Sequence, residues 1–168
     1  MKVGIPTEIK SNEYRVGMTP AGVKELRLNG HEIAVQSNAG AAIGFSDEDY
    51  IAAGATILET AQAIFDYSDM IIKVKEPQAS ECAMLRPNQV LFTYLHLAPD
   101  PEQAEALIQS GATCIAYETV TQASGGLPLL APMSEVAGRL SIQAGATHMQ
   151  MLHGGSGMLL GGVPGVEP

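Results

Sequence analysis

Residues 89–117 read QVLFTYLHLAPDPEQAEALIQSGATCIAY, and this stretch decides the fold class. It begins with an apolar run of strand length, Gln89–Leu95, and ends with a second one, Ala112–Tyr117. Between the two runs, Asp100 and the proline after it predict the amino end of a helix that extends to Gly111. A strand, a helix and a strand at this spacing indicate a βαβ unit, in which the two strands are parallel.

The same alternation continues on both sides of this unit. Further strands are expected at Lys2–Ile5, His31–Ser37, Ala55–Leu58 and Asp69–Lys75. Further helices are expected from Thr19-Pro20 to Gly30, from Ser46 to Gly54, near Thr60–Tyr67 and from Met133 to Leu152. Repeated βα units predict an α/β fold, with a mostly parallel sheet and helices on both of its faces.

Composition and charge argue against several functional classes. The chain has 168 residues, the size of one domain, and its 9 Lys+Arg against 18 Asp+Glu give a formal net charge of −9. An acidic chain without a basic cluster is a poor partner for nucleic acid or for an anionic membrane. No apolar run approaches the roughly 18–20 residues of a membrane span, and the amino terminus lacks the apolar stretch of a signal peptide. Cys82 and Cys114 form neither a disulfide framework nor a zinc motif, and we expect buried, reduced thiols of a cytoplasmic protein.

Polar side chains follow four of the predicted strands at the point where each strand ends. These residues are Arg15, Lys75, His96 and Glu118. Ligands of parallel sheets bind beyond the carboxyl ends of the strands, so we expect the four residues at one edge. Arginine holds a carboxylate in a two-pronged hydrogen bond, lysine adds a point charge, and histidine exchanges a proton near neutral pH. The set predicts a site for a small acid whose α-carbon undergoes proton-coupled chemistry.

Each of these residues also has a purely structural interpretation. Arg15 could be a loop residue paired with the acid two positions earlier. Lys73 and Lys75 are two residues apart, so they could form the solvated face of a strand. His96 lies between two leucines and could be a core histidine, and Tyr94 could belong to the core or to a pocket wall. The residues alone leave these alternatives open.

The glycines near the end of the chain do not match a phosphate-binding loop. Gly155, Gly157 and Gly161 have the spacing G-x-G-x-x-x-G, and the element before them is a predicted helix rather than a strand. We therefore interpret this segment as a connector. His148 and His153 lie nearby without a cysteine or carboxylate at ligand spacing, so no metal site is expected.

Six segments together carry a family resemblance. They are VGIPTEIK-x-x-E-x-RVG-x-TP, QSNAGAAIGFSDEDYIAAGA, DMIIKVKEPQ, LFTYLHLAPD, CIAYETV and LPLLAPMSEVAGRLSIQAGA. The chain resembles the alanine dehydrogenases, which form one superfamily with the α-subunit of proton-translocating nicotinamide nucleotide transhydrogenase. The likeness covers nearly the whole chain, and YLHLAPD with its histidine resembles the alanine dehydrogenase branch.

The resemblance implies roles for the matching residues. Arg15 and Lys75 would bind the substrate carboxylate, and Tyr94 would line the pocket. His96 would be the proton donor and acceptor that acts on the carbonyl of pyruvate. The implied reaction converts L-alanine, NAD and water to pyruvate, ammonia and NADH. Met133 and Ser134 would contact the NAD cofactor.

The resemblance also implies a domain organisation. Residues 1–132 would be a flavodoxin- or Rossmann-like substrate domain, and residues 133–168 an interdomain helix with a glycine-rich connector. The NAD-binding domain of the family would be absent from this chain, which is therefore expected to be inactive unaided. The complete enzyme is expected to be a cytoplasmic homo-oligomer, a hexamer in this family. The segment Thr147–His153 and the serine at Ser156 depart from the family pattern.

Three other functions remain open from the sequence. A fragment similar to the transhydrogenase α-subunit would use the same fold without acid–base work by His96. A stand-alone module would bind a small carboxylate without nucleotide. A structural remnant would bind neither pyruvate nor NADH.

Overall fold

The computed structural model of the protein describes residues 1–166, which divide into two compact units. The first unit spans Met1–Thr119 and contains the sheet. The second begins at Val120 and contains one long helix. The last two residues of the expected connector, Glu167 and Pro168, lie outside the described residues.

Six parallel strands form the sheet of the first unit. In chain order they are β1 (Lys2–Ile5), β2 (Glu32–Gln36), β3 (Thr56–Leu58), β4 (Met70–Ile72), β5 (Val90–Thr93) and β6 (Thr113–Ala116). Their spatial order is β3-β2-β1-β4-β5-β6, and each neighbouring pair is parallel. This is the strand order of the doubly wound Rossmann sheet. The expected α/β fold with a parallel, Rossmann-like sheet is confirmed.

Residues 1–166 contain six α-helices, five of them in the first unit. They are α1 (Pro20–Leu28), α2 (Asp47–Ala52), α3 (Ala61–Tyr67), α4 (Ala79–Cys82), α5 (Pro101–Ser110) and α6 (Ala131–Met149). The expected caps are present: the Thr19 hydroxyl accepts from the amide of Gly22, and the Asp100 carboxylate accepts from the amide of Gln103. Ser46 opens α2 with a reciprocal capping box.

The strands and the long helix differ from the expected bounds. β4 ends at Ile72 instead of Lys75, and beyond it the amides of Val74 and Lys75 donate to a buried carboxylate described below. The short helix α4 was not expected from the sequence. The long helix starts two residues before Met133, and a separate 3₁₀ turn at Met151–His153 follows it.

Both faces of the sheet are covered, because consecutive strand residues point to opposite sides. One core cluster contains Ile33, Val35 and Ile72 from the strands, with Val23 of α1 and Tyr50 of α2. The other contains strand residues that alternate with these and side chains from α3, α4 and α5: Ala34, Ile71, Leu91, Ile64, Phe65, Cys82 and Leu107. The carboxyl ends of the strands are therefore held between two packed layers.

The cysteines differ in burial. Both thiols are free; Cys82 is buried as expected, whereas Cys114 is half-buried because it lies on β6, at the edge of the sheet. Burial raises the pKa of both thiols.

The second unit contains the 19-residue helix α6, none of whose residues is buried. Within residues 1–166, no helix combines the length and the apolar character that crossing a membrane requires.

Candidate substrate-binding site

The order of the strands reverses between β1 and β4, and in sheets of this kind ligands bind beyond the strand ends at that point. Residues 6–19 follow β1 and residues 73–78 follow β4, so both connections begin there. The first connection passes close to the end of β4. A Cβ atom at Gly17 would lie only 2.6 Å from the carbonyl oxygen of Ile72, so a residue with a side chain would not fit.

The carboxylate of Glu8 joins the two connections, as does an ion pair between Lys10 and Glu76. Glu8 Oε1 accepts a hydrogen bond from the amide of Val74 at 2.6 Å, and Oε2 accepts from the amide of Lys75 at 3.3 Å. Oε2 also lies 3.1 Å from the ammonium nitrogen of Lys73. Bonds from two amides and an ammonium keep this carboxylate satisfied away from water.

Lys73 is the centre of a buried ion triad. Its side chain is 1% exposed, and its ammonium lies 3.1 Å from Glu8 and 2.7 Å from Glu81. The solvated strand face considered for Lys73 and Lys75 is therefore wrong, since Lys73 is buried and Lys75 lies beyond the strand. Burial raises the pKa of Glu8, while the Lys73 charge and the hydrogen bonds act in the opposite direction.

The backbone of Lys75 is held at both its amide and its carbonyl. Glu8 accepts from the amide, and the Thr93 hydroxyl of β5 donates to the carbonyl oxygen at 2.8 Å. The half-buried ammonium is different: among residues 1–166 it makes no hydrogen bond and no ion pair. Lys75 therefore presents a cation on a fixed backbone.

Arg15 is paired with Glu13, as the structural interpretation of Arg15 anticipated. Its Nε donates to Glu13 Oε1 at 2.8 Å, and its Nη2 donates to Oε2 at 2.5 Å. The hydrogen bonds from Arg15 lower the pKa of Glu13 to about 2, against a smaller opposing effect of burial. The Lys75 charge adds the smallest contribution to this lowering of the Glu13 pKa. The Arg15 side chain remains 41% exposed.

Aromatic side chains lie beside these cations. The rings of Tyr94 and Tyr117 meet edge to face with centroids 5.0 Å apart, and Tyr117 meets Phe92 at 4.3 Å. Burial raises the pKa of Tyr94, the Arg15 charge lowers it, and the Glu118 charge raises it further. Tyr94 is thus electrostatically linked to residues from the connections after β1 and β6.

His96 is exposed, so it is not the core histidine considered from the sequence. Its φ of +52° places it in the left-handed region, which costs a residue other than glycine about 1–3 kcal/mol. Its amide donates to Glu118 Oε1 at 2.8 Å, and the amide of Leu95 donates to the same carboxylate at 3.1 Å. Glu118 therefore binds the backbone that carries His96.

The four residues expected at one edge are connected by these interactions. The charges of Arg15 and Glu118 both shift the pKa of Tyr94, and Glu118 also accepts a hydrogen bond from the His96 amide. The Lys75 charge lowers the pKa of Glu13, the partner of Arg15. Sequence reasoning missed Glu8 and Glu81. The sequence did contain a signal for such partners: a lysine inside the apolar run DMIIKVK is expected to be buried and to need an acid as partner.

Met133 and Ser134, expected to contact a dinucleotide, lie in the first turns of α6 in the second unit. The Ser134 hydroxyl donates to the carbonyl of Leu130 at 3.3 Å, a bond within the helix. Both residues are exposed. Their role in NAD binding stays a prediction.

A family model described as the alanine dehydrogenase/PNT N-terminal domain matches residues 4–137. The chain belongs to this family. Its sequence is 55% identical over 168 residues to the alanine dehydrogenase of Methanococcus maripaludis and 56% identical to that of Mycobacterium tuberculosis strain H37Rv. Each match covers the whole of this chain and 45% of the relative, so the chain spans about half the length of these relatives.

Solved structures agree with the family assignment. An L-alanine dehydrogenase superposes with a TM-score of 0.89 at 48% identity, over 100% of this chain and 46% of that one. A transhydrogenase from Sinorhizobium meliloti is less similar, with a TM-score of 0.66 at 30% identity, over 70% of this chain and 35% of that one. Within the family, the chain is more similar to the alanine dehydrogenase than to the transhydrogenase.

The bridge made by Glu8 leads to a stability prediction. Glu8→Ala removes one of two carboxylates from a buried lysine and the acceptor from two amides, so the free energy of unfolding should fall by about 3–5 kcal/mol. Glu59→Ala is the matched control, because the same change at an exposed acid should alter stability by less than about 0.5 kcal/mol. Urea unfolding measures both variants. Equal stability of the two variants would contradict the bridging role.

Proposed function

We propose that this chain is the substrate-binding part of an alanine dehydrogenase, which oxidises L-alanine with NAD and water to pyruvate, ammonia and NADH. The proposal rests on the position of the Lys75 side chain. The ammonium of Lys75 is half-buried and has no partner among residues 1–166, at the point of the sheet where ligands bind. An unpaired cation on a fixed backbone is suited to the carboxylate of a small acid.

In this proposal, Arg15 and Lys75 together bind the carboxylate that L-alanine and pyruvate share. Glu13 already engages the guanidinium through Nε and Nη2, so the substrate shares Arg15 with a protein carboxylate. Lys75 has no such competitor among the described residues, and its charge is therefore the stronger determinant of affinity. Tyr94 forms one wall of the substrate pocket, since its ring packs edge to face against Tyr117 and the Arg15 charge lowers the pKa of its hydroxyl.

His96 has the proton-transfer role in this reaction. Loss of hydride from the α-carbon gives an imine, water adds to it, and the resulting carbinolamine collapses to pyruvate and ammonia. His96 takes a proton from the attacking water and returns one to the leaving nitrogen, because an imidazole nitrogen can accept a proton and donate it again. Its exposed position, three residues beyond the end of β5, leaves His96 accessible to a ligand.

The described residues fit only part of a dinucleotide site. NAD, when bound, supplies the hydride acceptor. The connection after β1 lacks the glycine fingerprint, and Glu8 and Glu13 put carboxylates where that fingerprint would hold a pyrophosphate. We infer that NAD uses Met133 and Ser134 on α6 together with residues outside this chain.

The proposal extends to cellular location and assembly. Two free thiols are typical of proteins kept in a reducing compartment, which supports the cytoplasm. The complete enzyme is proposed to be a homo-oligomer. Support comes from the exposed apolar side chains of α6, namely Val136, Leu140 and Ile142.

The carboxylate site is tested by titrating the chain with pyruvate and measuring the dissociation constant by calorimetry. Lys75→Met should raise this constant roughly ten- to hundredfold, because a hydrogen bond to a charged group contributes about 1.5–3 kcal/mol. Lys24→Met, the same change at an exposed position on α1, should leave it unchanged. Equal weakening by both changes, or no weakening by Lys75→Met, would count against the site. Tight pyruvate binding by the unmodified chain would instead favour a stand-alone binding module.

Because the described residues fit only part of a dinucleotide site, we expect that this chain does not turn over substrate unaided. Hydride transfer requires the nicotinamide to be held against the α-carbon, and the described residues supply only part of that support. Incubation with NADH, pyruvate and ammonium should therefore give no sustained loss of NADH absorbance. Sustained turnover by the purified chain would show that the chain holds the cofactor by itself.

A further inference from the structure

Glu118 is placed to control the backbone at His96. It lies in the 3₁₀ turn Tyr117–Thr119 that follows β6, and its carboxylate reaches the end of the neighbouring strand β5. Oε1 accepts from the amides of Leu95 at 3.1 Å and His96 at 2.8 Å, and Oε2 is 3.3 Å from the amide of Leu95. One carboxylate thus binds two consecutive amides.

The peptide that joins Leu95 to His96 is held at both of its polar atoms. Glu118 accepts from the N–H of this peptide at 2.8 Å, and the buried Gln103 of α5 donates to its carbonyl oxygen at 2.9 Å. Rotation of the peptide plane would break both hydrogen bonds at once. Side chains from two other elements therefore fix the orientation of the backbone from which the imidazole extends.

The conformation that is fixed here is unusual for a histidine. Among residues 1–166, four residues other than glycine have a positive φ, and three of them are asparagines: Asn12, Asn38 and Asn88. Asparagine tolerates this region because its short polar side chain bonds locally. The fourth is His96, whose amide is bound by a carboxylate 22 residues away in the sequence. Such strain persists where surrounding groups impose it and is concentrated at functional sites.

We propose that Glu118 is the positioning residue of His96: its carboxylate holds residue 96 in the left-handed conformation and so places the imidazole against the bound substrate. The proposal rests on the proton-transfer role given to His96 above. Glu118 acts through the backbone of another residue, so it is not itself a catalytic residue. Its charge also acts on Tyr94, which places the carboxylate beside the same substrate site.

A purely structural role for Glu118 makes a different prediction. If the carboxylate only joined β6 to β5, its loss would weaken every ligand contact of the site together. A positioning role affects His96 selectively, because Lys75 is held by Glu8 and Thr93, neither of which Glu118 contacts. Loss of the Glu118 carboxylate should therefore abolish the response of His96 to pyruvate and leave the affinity for pyruvate almost unchanged.

The test uses the full chain labelled for NMR, with the variants Glu118→Ala and Glu118→Gln and the control Glu102→Ala, an exposed acid on α5. Pyruvate is the probe, and the signals followed are the Lys75 amide and the His96 imidazole. In Glu118→Ala the dissociation constant read at Lys75 should change by less than about threefold, which is under 1 kcal/mol. The pyruvate-induced shift of the His96 imidazole should be lost.

Glu118→Gln keeps one neutral oxygen that can accept from both amides, so it should restore most of the His96 response. Glu102→Ala should behave as the unmodified chain. The φ angle of residue 96, measured by scalar couplings without pyruvate, should become negative in Glu118→Ala. If Glu118→Ala does not fold, Gln103→Leu releases the other end of the same peptide and should have the same selective effect.

Two results would overturn the positioning role. One is a φ of residue 96 that stays positive in Glu118→Ala, and the other is an equal loss of affinity and of the His96 response. Failure of the proposed function is recognised separately, in the unmodified chain, as the absence of any pyruvate response at Lys75 or His96. In that case the φ measurement still decides whether Glu118 controls the backbone.

Discussion

The buried carboxylate of Glu8 is the interaction on which the carboxyl edge of this sheet depends. It joins the connection after β1 to the connection after β4 by accepting from the amides of Val74 and Lys75, and it neutralises the buried ammonium of Lys73. Burying a charged group is costly unless it is paired and hydrogen-bonded. The two connections can therefore separate only by exposing unpaired charges, which fixes the spacing of the groups they carry.

This constraint distinguishes the carboxyl edge of this sheet from that of a nucleotide-binding Rossmann sheet. In a Rossmann sheet the crevice beside β1 receives a pyrophosphate on glycine backbone, whereas here Glu8 and Glu13 occupy that connection. The acids attract cations rather than phosphates. Of the cations on the two connections, Lys10 pairs with Glu76 and Lys73 pairs with Glu8 and Glu81. Arg15 is engaged by Glu13, whereas Lys75 is left unpaired among residues 1–166, as the proposed carboxylate site requires.

The sequence was most informative where local rules decide the structure. The cap at Thr19, the cap at Asp100 and the alternating strands follow from neighbouring residues, and they were predicted correctly. Burial of Lys73 was not predictable locally, because its partner Glu8 lies 65 residues away and meets it only when β1 and β4 pair. The same holds for His96, whose backbone is set by a carboxylate on the next strand. The types of residue at the site were thus readable from the sequence, but the interactions that hold them required the fold.

We propose that the reversal point of this sheet binds a carboxylate, with Lys75 as its principal cation. A crystal structure of the chain with pyruvate decides whether this is so. A pyruvate carboxylate oxygen should lie within hydrogen-bond distance, about 2.7–3.2 Å, of the Lys75 ammonium, with the keto group facing His96. Pyruvate bound elsewhere in the first unit, without contact to the Lys75 ammonium, would show that Lys75 is not the carboxylate anchor.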